Sequence, residues 1–241
     1  MRGVFIYSVA ILSAFAVKIF AEPRIFESGE ERVQLLELYT SQGCSSCPPV
    51  ERWLNGFEID ESLWKEVVPV AFHVDYWDRL GWKDPFASFE NTSRQYLHHQ
   101  AGNVRSVYTP GFVVNGKEWR GWFERKELPN ESVEAGNLRV SLDGLEFEAS
   151  YSGSKNARTL HIAILGMDIR THVERGENRN RDLRQSFVSL ATERYELDGD
   201  GWKGELPQFD REAAKRYAIA VWVTAKGDLE PLQATGSWLS L

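Results

Sequence analysis

The chain has 241 residues, enough for one large or two small domains, and 42% of them are hydrophobic, which is enough for real cores. Its net charge is −7, and its lysines and arginines are spread along the sequence, which argues against a nucleic-acid-binding protein. The nine Trp and 13 Phe residues indicate large aromatic clusters.

The first 21 residues are typical of a targeting segment. Arg2 supplies a short positive region, and Val4–Val17 is an apolar run of signal-peptide length that is short for a transmembrane helix. We therefore interpret residues 1–21 as a signal peptide, or as a membrane tether if the segment is not cleaved. Export would make the protein secreted or periplasmic and place it in an oxidising compartment, where disulfides persist.

The next elements predict a parallel strand pair. Val33–Tyr39 is almost continuously apolar, as in a buried central strand, and Val67–Val74 has the same character. Between them, Pro48–Phe57 carries apolar residues on one helical face. A strand, a helix and a strand at this spacing form a βαβ unit with a parallel pair. A second helix is expected over Phe89–Gly102.

The only two cysteines, Cys44 and Cys47, stand between the first strand and the first helix in a C-x-x-C pattern. Proline lacks the N–H that only the first helical turn can do without, so the helix should begin between Ser45 and Pro48. A cysteine at a helix N-terminus has a lowered pKa because of the positive potential there. We expect Cys44 to be the more exposed, attacking thiol and Cys47 the more buried, resolving thiol.

Three other interpretations of the cysteine pair stay open. A structural disulfide is one, although so short a loop gains little from closure. Binding of copper(I) or zinc by both thiolates and His73 is another. In the third, the fold only presents a binding surface and the cysteines are dispensable.

Glu37 interrupts the first predicted strand and allows two interpretations. It could lie on an exposed or partly covered face of that strand. Alternatively, it is a buried carboxylate near Cys47, where burial would raise its pKa and suit it to accept the proton of that thiol.

The pattern changes beyond Arg125. Alternating apolar residues and turn signals predict strands over residues 138–142, 145–151, 159–169, 186–197, 217–224 and 233–239. These segments predict an all-β, sandwich-like domain. Between two of them, His172–Arg184 is a charged loop that contains Gly176–Arg181. This loop is either the solvated end of a hairpin or a contact for a partner or substrate, and the sequence does not decide between the two.

Three stretches together carry a resemblance to a known family. They are Glu37–Pro49 around the cysteines, Phe72–Asp78 with Gly81–Phe86, and Val107–Pro110 followed by Gly176–Arg179. The chain resembles the DUF1223 family of exported thioredoxin-like proteins. The resemblance implies an α/β thioredoxin-like N-terminal domain over residues 28–128, a β-rich domain over residues 137–241, and no established substrate.

The resemblance to thioredoxins also implies roles for individual residues. Thr109-Pro110 matches the cis-proline loop, which in thioredoxins lies beside the disulfide and holds an incoming chain. The sequence therefore predicts an exported thiol–disulfide oxidoreductase that uses no cofactor or resident metal and acts on a thiol- or disulfide-containing protein. The predicted catalytic residues are Cys44, Cys47, Pro110 and Glu37, and the predicted substrate-binding residues are Tyr108, Thr109 and Trp77.

Overall fold

The structure, a computed structural model, describes residues 22–129 and 132–240, and strands predominate in it. From the first half of the chain come β1 (Arg24–Glu27), β2 (Gln34–Thr40), β3 (Val67–His73), β4 (Gly111–Val114) and β5 (Lys117–Glu118). From the second half come β6 (Leu138–Asp143), β7 (Glu146–Tyr151), β8 (Ala157–Met167), β9 (Ile169–Val173), β10 (Arg181–Gln185), β11 (Val188–Glu196), β12 (Trp202–Glu205), β13 (Arg216–Ala225) and β14 (Pro231–Leu239). The helices are α1 (Pro48–Asn55), α2 (Phe89–Gln100) and α3 (Gly121–Glu124), with 3-10 segments at Gly56–Ile59 and Asp75–Leu80.

The interpretation of residues 1–21 as a signal segment falls outside the described residues. Within the described ranges, no helix has the length and apolar character required to cross a bilayer.

The predicted strand–helix–strand unit is confirmed. Strands β2 and β3 pair in parallel, with Gln34 opposite Val67 and Thr40 opposite His73. Helix α1 connects them, and the chain continues beyond it in a 3-10 segment rather than as the longer helix that the sequence predicts. On its other edge, β2 pairs antiparallel with β4.

The predicted fold class, a thioredoxin-like domain followed by a separate all-β domain, is wrong. Strands from both halves of the chain form one mixed sheet in the order β14-β13-β8-β11-β3-β2-β4-β5. At the junction, Val188 of β11 lies beside Ala71 of β3 in a parallel pair, and the Ala71 N–H donates to the Phe187 carbonyl at 2.8 Å. β11 covers this edge of β3 at Ala71, whose N–H would otherwise be buried without a backbone partner. The sequence carries no local signal of that pairing.

A second sheet, in the order β1-β6-β7-β12, packs against the C-terminal strands of the large sheet. Strand β8 alternates between two cores. Leu160 and Ile162 contribute to the cluster between the two sheets, whereas Ala163 and Leu165 contribute to the cluster around β2 and β3. This arrangement is sandwich-like, although its larger sheet continues into the N-terminal half.

Helices α1 and α2 lie on opposite faces of the large sheet. The Thr40 hydroxyl donates to the Glu51 carboxylate of α1 at 2.7 Å, and Arg94 of α2 pairs with Glu37 at 2.7 Å. Since successive side chains of a strand point to opposite faces, Thr40 and Glu37 belong to different sides of β2. The face that carries α1 is also the face that carries the cysteine loop.

Strands β9 and β10 form a separate two-stranded hairpin where the sequence predicts a charged loop, one interpretation of which is the end of a hairpin. The hairpin is fixed beside α1. The side-chain amide of Asn55 donates to the Arg184 carbonyl at 2.8 Å, and its oxygen accepts from the Ser186 N–H at 2.9 Å. Charged residues between the few buried positions of the hairpin conceal its alternation in the sequence. We call residues 174–180, which join the two strands, the hairpin tip.

Candidate functional site

Cys44 and Cys47 form a disulfide immediately before α1, with their Cα atoms 5.5 Å apart. Cys47 is the N-cap residue of the helix, and Pro48 is its first residue, as the sequence predicts. The Cys44 N–H donates to the Ser41 carbonyl at 3.1 Å, which closes the turn between β2 and the pair. The disulfide therefore lies at the positive end of the helix.

Both cysteines are 0% exposed, so the prediction that Cys44 is the more exposed of the two is wrong. Ser45 and Ser46 between them are exposed, and the Ser46 hydroxyl lies 3.3 Å from the Cys44 sulfur. The loop that carries the disulfide thus reaches the surface, whereas the cysteines are buried beneath it.

The hairpin tip lies against this loop. Asn178, which is 0% exposed, donates from its side-chain amide to the carbonyls of Gln42, at 2.9 Å, and Cys44, at 2.8 Å. The Glu177 carboxylate accepts from the Ser45 N–H at 3.1 Å. Of the two interpretations of Gly176–Arg181, the hairpin end agrees with the structure, although Asn178 is buried against the chain's own cysteine loop, and a contact with a partner or substrate stays a prediction. The sequence indicates the loop but not the role of Asn178, because Asn178 differs from the nearby Asn180 only in its contacts with distant residues.

The peptide bond between Thr109 and Pro110 is cis, as the resemblance implies, and Pro110 is buried. The Trp77 indole donates to the Thr109 hydroxyl at 2.7 Å. Trp77 also adjoins the cysteine loop, because a Cβ added at Gly43 would lie 3.1 Å from the Trp77 Cβ. Trp77 therefore connects the cysteine loop with the proline turn.

Tyr108 is held in place at this turn and is partly buried. Its hydroxyl donates to Glu118 at 2.8 Å, and its carbonyl accepts from the Gln95 side chain at 2.7 Å. Burial, together with the hydrogen bond and charge of Glu118, raises the pKa of Tyr108 to about 12. Trp77, Tyr108 and Thr109 all keep part of their surface accessible, as a binding surface requires.

Glu37 is fully buried, but the structure does not bring it to the cysteines. It lies on the α2 face of β2, where Arg94 donates to both of its oxygens at 2.7 and 2.8 Å and the Tyr39 hydroxyl donates at 2.8 Å. Burial alone would raise the pKa of Glu37, but attraction to Arg94 and His98 and the hydrogen bonds outweigh it and hold that pKa well below its usual range. The expectation of a raised pKa is therefore wrong.

Glu51, which sequence reasoning did not select, has the properties expected of Glu37. It is 4% exposed, and it accepts hydrogen bonds from Thr40 at 2.7 Å and from the Gln185 side chain at 2.8 Å. Burial raises the pKa of Glu51 and outweighs the lowering by His73 and by these hydrogen bonds. Cys47 and Glu51 are four residues apart on the helix, so their side chains share a face. That spacing was the signal available in the sequence.

His73 and Asp84 form a buried ion pair on the same face of the sheet. Their atoms Nδ1 and Oδ2 are 2.7 Å apart, and both side chains are 0% exposed. Burial lowers the pKa of His73, but attraction to Asp84, their hydrogen bond and the charge of Glu51 outweigh it, and the net shift is upward. The Asp84 carboxylate also accepts from the Gln42 N–H at 2.8 Å, close to Cys44. The other ring nitrogen, Nε2, is buried without a partner in the described chain.

Gln42 connects the cysteine loop to the hairpin and to the aromatic segment. Its side-chain amide donates to Gln185 at 2.8 Å and to Thr171 at 3.1 Å, and its oxygen accepts from the Trp82 indole at 3.0 Å. Gln42 is 0% exposed. The loop before the cysteines is thereby fixed on several sides.

Metal binding was the alternative that sequence analysis left for Cys44, Cys47 and His73. Among residues 22–129 and 132–240, no group of three or more His, Cys, Asp or Glu side chains is arranged to hold a metal ion. Both sulfurs are engaged in the disulfide, so this structure offers no ligand set for that alternative.

Comparison with known proteins bears on family and fold. The profile of a family described as "Protein of unknown function (DUF1223)" matches residues 35–224. A crystal structure of an Agrobacterium tumefaciens protein is similar, with 26% identity, a TM-score of 0.60, and coverage of 88% of this chain and 96% of that one. HBP35 of Porphyromonas gingivalis shares the fold with 13% identity, a TM-score of 0.53, and coverage of 88% and 76%, respectively. No curated protein matches.

Proposed function

The chain belongs to the DUF1223 family, whose function is unknown, and we propose that it is a thiol–disulfide oxidoreductase. The observation that carries this proposal is the Cys44–Cys47 disulfide at the start of α1, with the buried ionisable side chains of Glu51, His73 and Asp84 on the same face of the sheet. Perturbed ionisable groups beside a potential nucleophile are a common feature of catalytic sites.

The reaction begins with the disulfide oxidised. A partner thiolate attacks the Cys44 sulfur, the bond between Cys44 and Cys47 breaks, and Cys47 leaves as a thiolate. A second thiolate of the partner then attacks the partner sulfur of the mixed disulfide and releases Cys44. The partner gains a disulfide, and its two electrons stay on the cysteine pair. The same steps in reverse reduce a partner disulfide.

Glu51 is the proposed proton donor and acceptor for Cys47. Burial raises the pKa of Glu51 and so favours the protonated carboxyl group, which can donate to the leaving Cys47 thiolate, and the carboxylate accepts that proton in the reverse step. Thr40 and Gln185 hold the carboxyl group in place. The charge of His73 partly opposes the effect of burial on the pKa of Glu51, whereas the charge of Asp84 adds to it. Glu51 therefore replaces Glu37 in the proposed mechanism.

A thiol- or disulfide-containing protein is the proposed partner, and Trp77, Tyr108, Thr109 and Pro110 are its proposed contact residues. Support comes from the indole of Trp77, which hydrogen-bonds Thr109 and adjoins the cysteine loop. The apolar segment Val4–Val17 supports an extracytoplasmic location, where a disulfide persists.

Trapping tests this function. In Cys47→Ala, Cys44 cannot be released by its neighbour, so mixed disulfides with partners should accumulate and disappear on treatment with dithiothreitol. Cys44→Ala is the matched control and should accumulate far fewer. If neither variant traps a partner and the wild-type pair does not exchange with glutathione, the proposal is wrong.

A further inference from the structure

We propose that the hairpin tip is a cover over Cys44, held closed by Asn178, and that thiol–disulfide exchange requires it to open. This inference rests on the proposed function in so far as the cover controls access to the same disulfide. It assigns a role to a segment of the chain far from the cysteines in sequence, since Asn178 and Cys44 are 134 residues apart.

The first argument concerns attack geometry. An incoming thiolate must reach a sulfur of the disulfide to form a bond with it, and the leaving sulfur departs as the bond breaks. Cys44 is 0% exposed, so no thiolate can reach it in the structure as it stands. An element above the disulfide must move first. We take the hairpin tip as that element because it is hydrogen-bonded to both Cys44 and Ser45, whereas Trp77 contacts the loop at Gly43.

The second argument concerns how the tip is attached. Asn178 bridges two backbone carbonyls of the cysteine loop, Gln42 at 2.9 Å and Cys44 at 2.8 Å, and Glu177 accepts from the Ser45 N–H at 3.1 Å. These bonds are polar and reversible, and water or a partner backbone could replace each of them. Asn178 occupies a position at which the N–H of an extended partner chain could donate to the Cys44 carbonyl.

The third argument concerns the mobility that the local structure allows. The base of the hairpin is fixed by Gln185, which bonds both Gln42 and Glu51. The tip contains two residues with positive φ, Gly176 at 76° and Asn180 at 62°, a conformation that those residue types tolerate best. The pairing of β9 with β10 begins at Val173 and Arg181, outside the tip, so movement of residues 174–180 leaves the paired residues in place.

This arrangement favours partners that compete for the hydrogen bonds of Asn178. A polypeptide can offer a row of backbone N–H groups to the carbonyls of Gln42 and Cys44, whereas dithiothreitol has no N–H group. The substrate class is therefore a disulfide or dithiol within an extended polypeptide, and exchange with small thiols is limited by spontaneous opening of the tip. When the tip closes faster than the thiol reacts, the rate of exchange is proportional to the equilibrium fraction of open molecules.

The test measures how fast dithiothreitol and tris(2-carboxyethyl)phosphine reduce the disulfide of the full chain. Asn178→Ala removes both bonds to the cysteine loop and should accelerate reduction by about tenfold or more. The matched control is Arg175→Ala. Arg175 is exposed in the same tip and makes no side-chain hydrogen bond or ion pair within the described ranges. This control should be reduced at the wild-type rate.

A second variant covers the case in which Asn178→Ala does not fold. Glu177→Ala removes a single acceptor from an exposed side chain and should give a smaller acceleration, together with faster hydrogen exchange at the Ser45 amide. The cover is wrong if a folded Asn178→Ala is reduced at the wild-type rate. If Asn178→Ala does not fold, a wild-type rate of reduction in Glu177→Ala has the same meaning. The cover is also wrong if Arg175→Ala accelerates reduction as much as these variants do.

The outcome is independent of the proposed function, because chemical reduction of the disulfide needs no biological partner. If Cys44 traps partners but Asn178→Ala is reduced at the wild-type rate, the proposed cover is wrong and the proposed function stands. If Asn178→Ala is reduced faster but no partner is trapped, the proposed oxidoreductase function is wrong and the cover stands.

Discussion

The Thr40 hydroxyl donates a 2.7 Å hydrogen bond to the Glu51 carboxyl group, across the gap between β2 and α1. This contact fixes an ionisable group over the first turn of the helix that Cys47 caps. It also shows that α1 and the cysteine loop lie on the Thr40 face of β2, because Thr40 and Glu37 point to opposite sides of the strand.

We predict that Glu51→Gln slows exchange of the disulfide with thiols by at least about tenfold, since general acid–base catalysis contributes factors of roughly 100 or more. The amide keeps an oxygen for Thr40 and Gln185 but cannot transfer the proton. Stopped-flow reduction by dithiothreitol would measure the rate. Glu61→Gln, at an exposed position, is the control and should match the wild type.

The same variant should change how stability depends on pH. The folded-state pKa of Glu51 is raised, so its contribution to stability is present below the unfolded-state pKa and is lost as pH rises through the folded-state value. Glu51→Gln removes that loss and should be more stable than the wild type at pH 8, with the difference shrinking toward pH 4. Urea denaturation at both pH values would check this. A constant difference would contradict it.

We predict that Arg94→Leu destabilises the protein by about 3–5 kcal/mol, because it leaves the Glu37 carboxylate buried without its ion-pair partner. The side chain of Arg94 is only 14% exposed and that of Glu37 is 0% exposed. The double variant Glu37→Gln/Arg94→Leu should recover part of the loss. Urea denaturation measures both, and equal losses in the single and double variants would show that the ion pair is not the cause.

We predict that Asp84→Asn lowers the pKa of His73, because the carboxylate attracts the imidazolium and accepts its hydrogen bond. An NMR titration of the His73 ring protons would measure the shift. Asp182→Asn is the control, since Asp182 pairs with the exposed His172 and not with His73. An unchanged His73 titration in Asp84→Asn would contradict the pairing.

We predict that Trp77→Phe slows exchange with a polypeptide partner by about fivefold, the factor that corresponds to a hydrogen bond of about 1 kcal/mol. The substitution keeps an aromatic ring beside Gly43 but removes the indole N–H that bonds Thr109. Reduction by dithiothreitol should stay at the wild-type rate, because it does not use the proline turn. If Trp77→Phe slows reduction by dithiothreitol as much as exchange with the polypeptide, the substitution has distorted the cysteine loop and the prediction is wrong.

Local patterns in the sequence were sufficient for the elements that local physics determines. The two prolines placed the start of α1, and apolar runs placed β2 and β3. The family resemblance indicated the cis bond before Pro110. What the sequence could not provide was pairing between distant segments. Nothing near Val188 indicates that its strand joins β3, and nothing near Asn178 indicates that its side chain reaches the Cys44 carbonyl.

The choice between two glutamates shows the same limit. Glu37 is buried, as one interpretation of the sequence held, but burial alone does not determine a pKa. The ion-pair partner of Glu37 has the larger effect on its pKa. That partner, Arg94, lies on α2, and the sequence of β2 alone does not indicate where α2 packs. The sequence does contain a signal for Glu51. With the helix starting near Cys47, a residue four positions later lies on the same helical face.

The shared sheet has a consequence for how the two halves of the chain can exist apart. A fragment that stops at residue 129 would lack β11 and expose one edge of β3, whose seven residues are all buried in the intact protein. Such an apolar edge is a template for self-association, so the fragment should aggregate rather than fold alone. Truncation at residue 129 would also remove the hairpin tip that is hydrogen-bonded to the cysteine loop, so we expect the cysteine pair to keep its buried setting only in the longer chain.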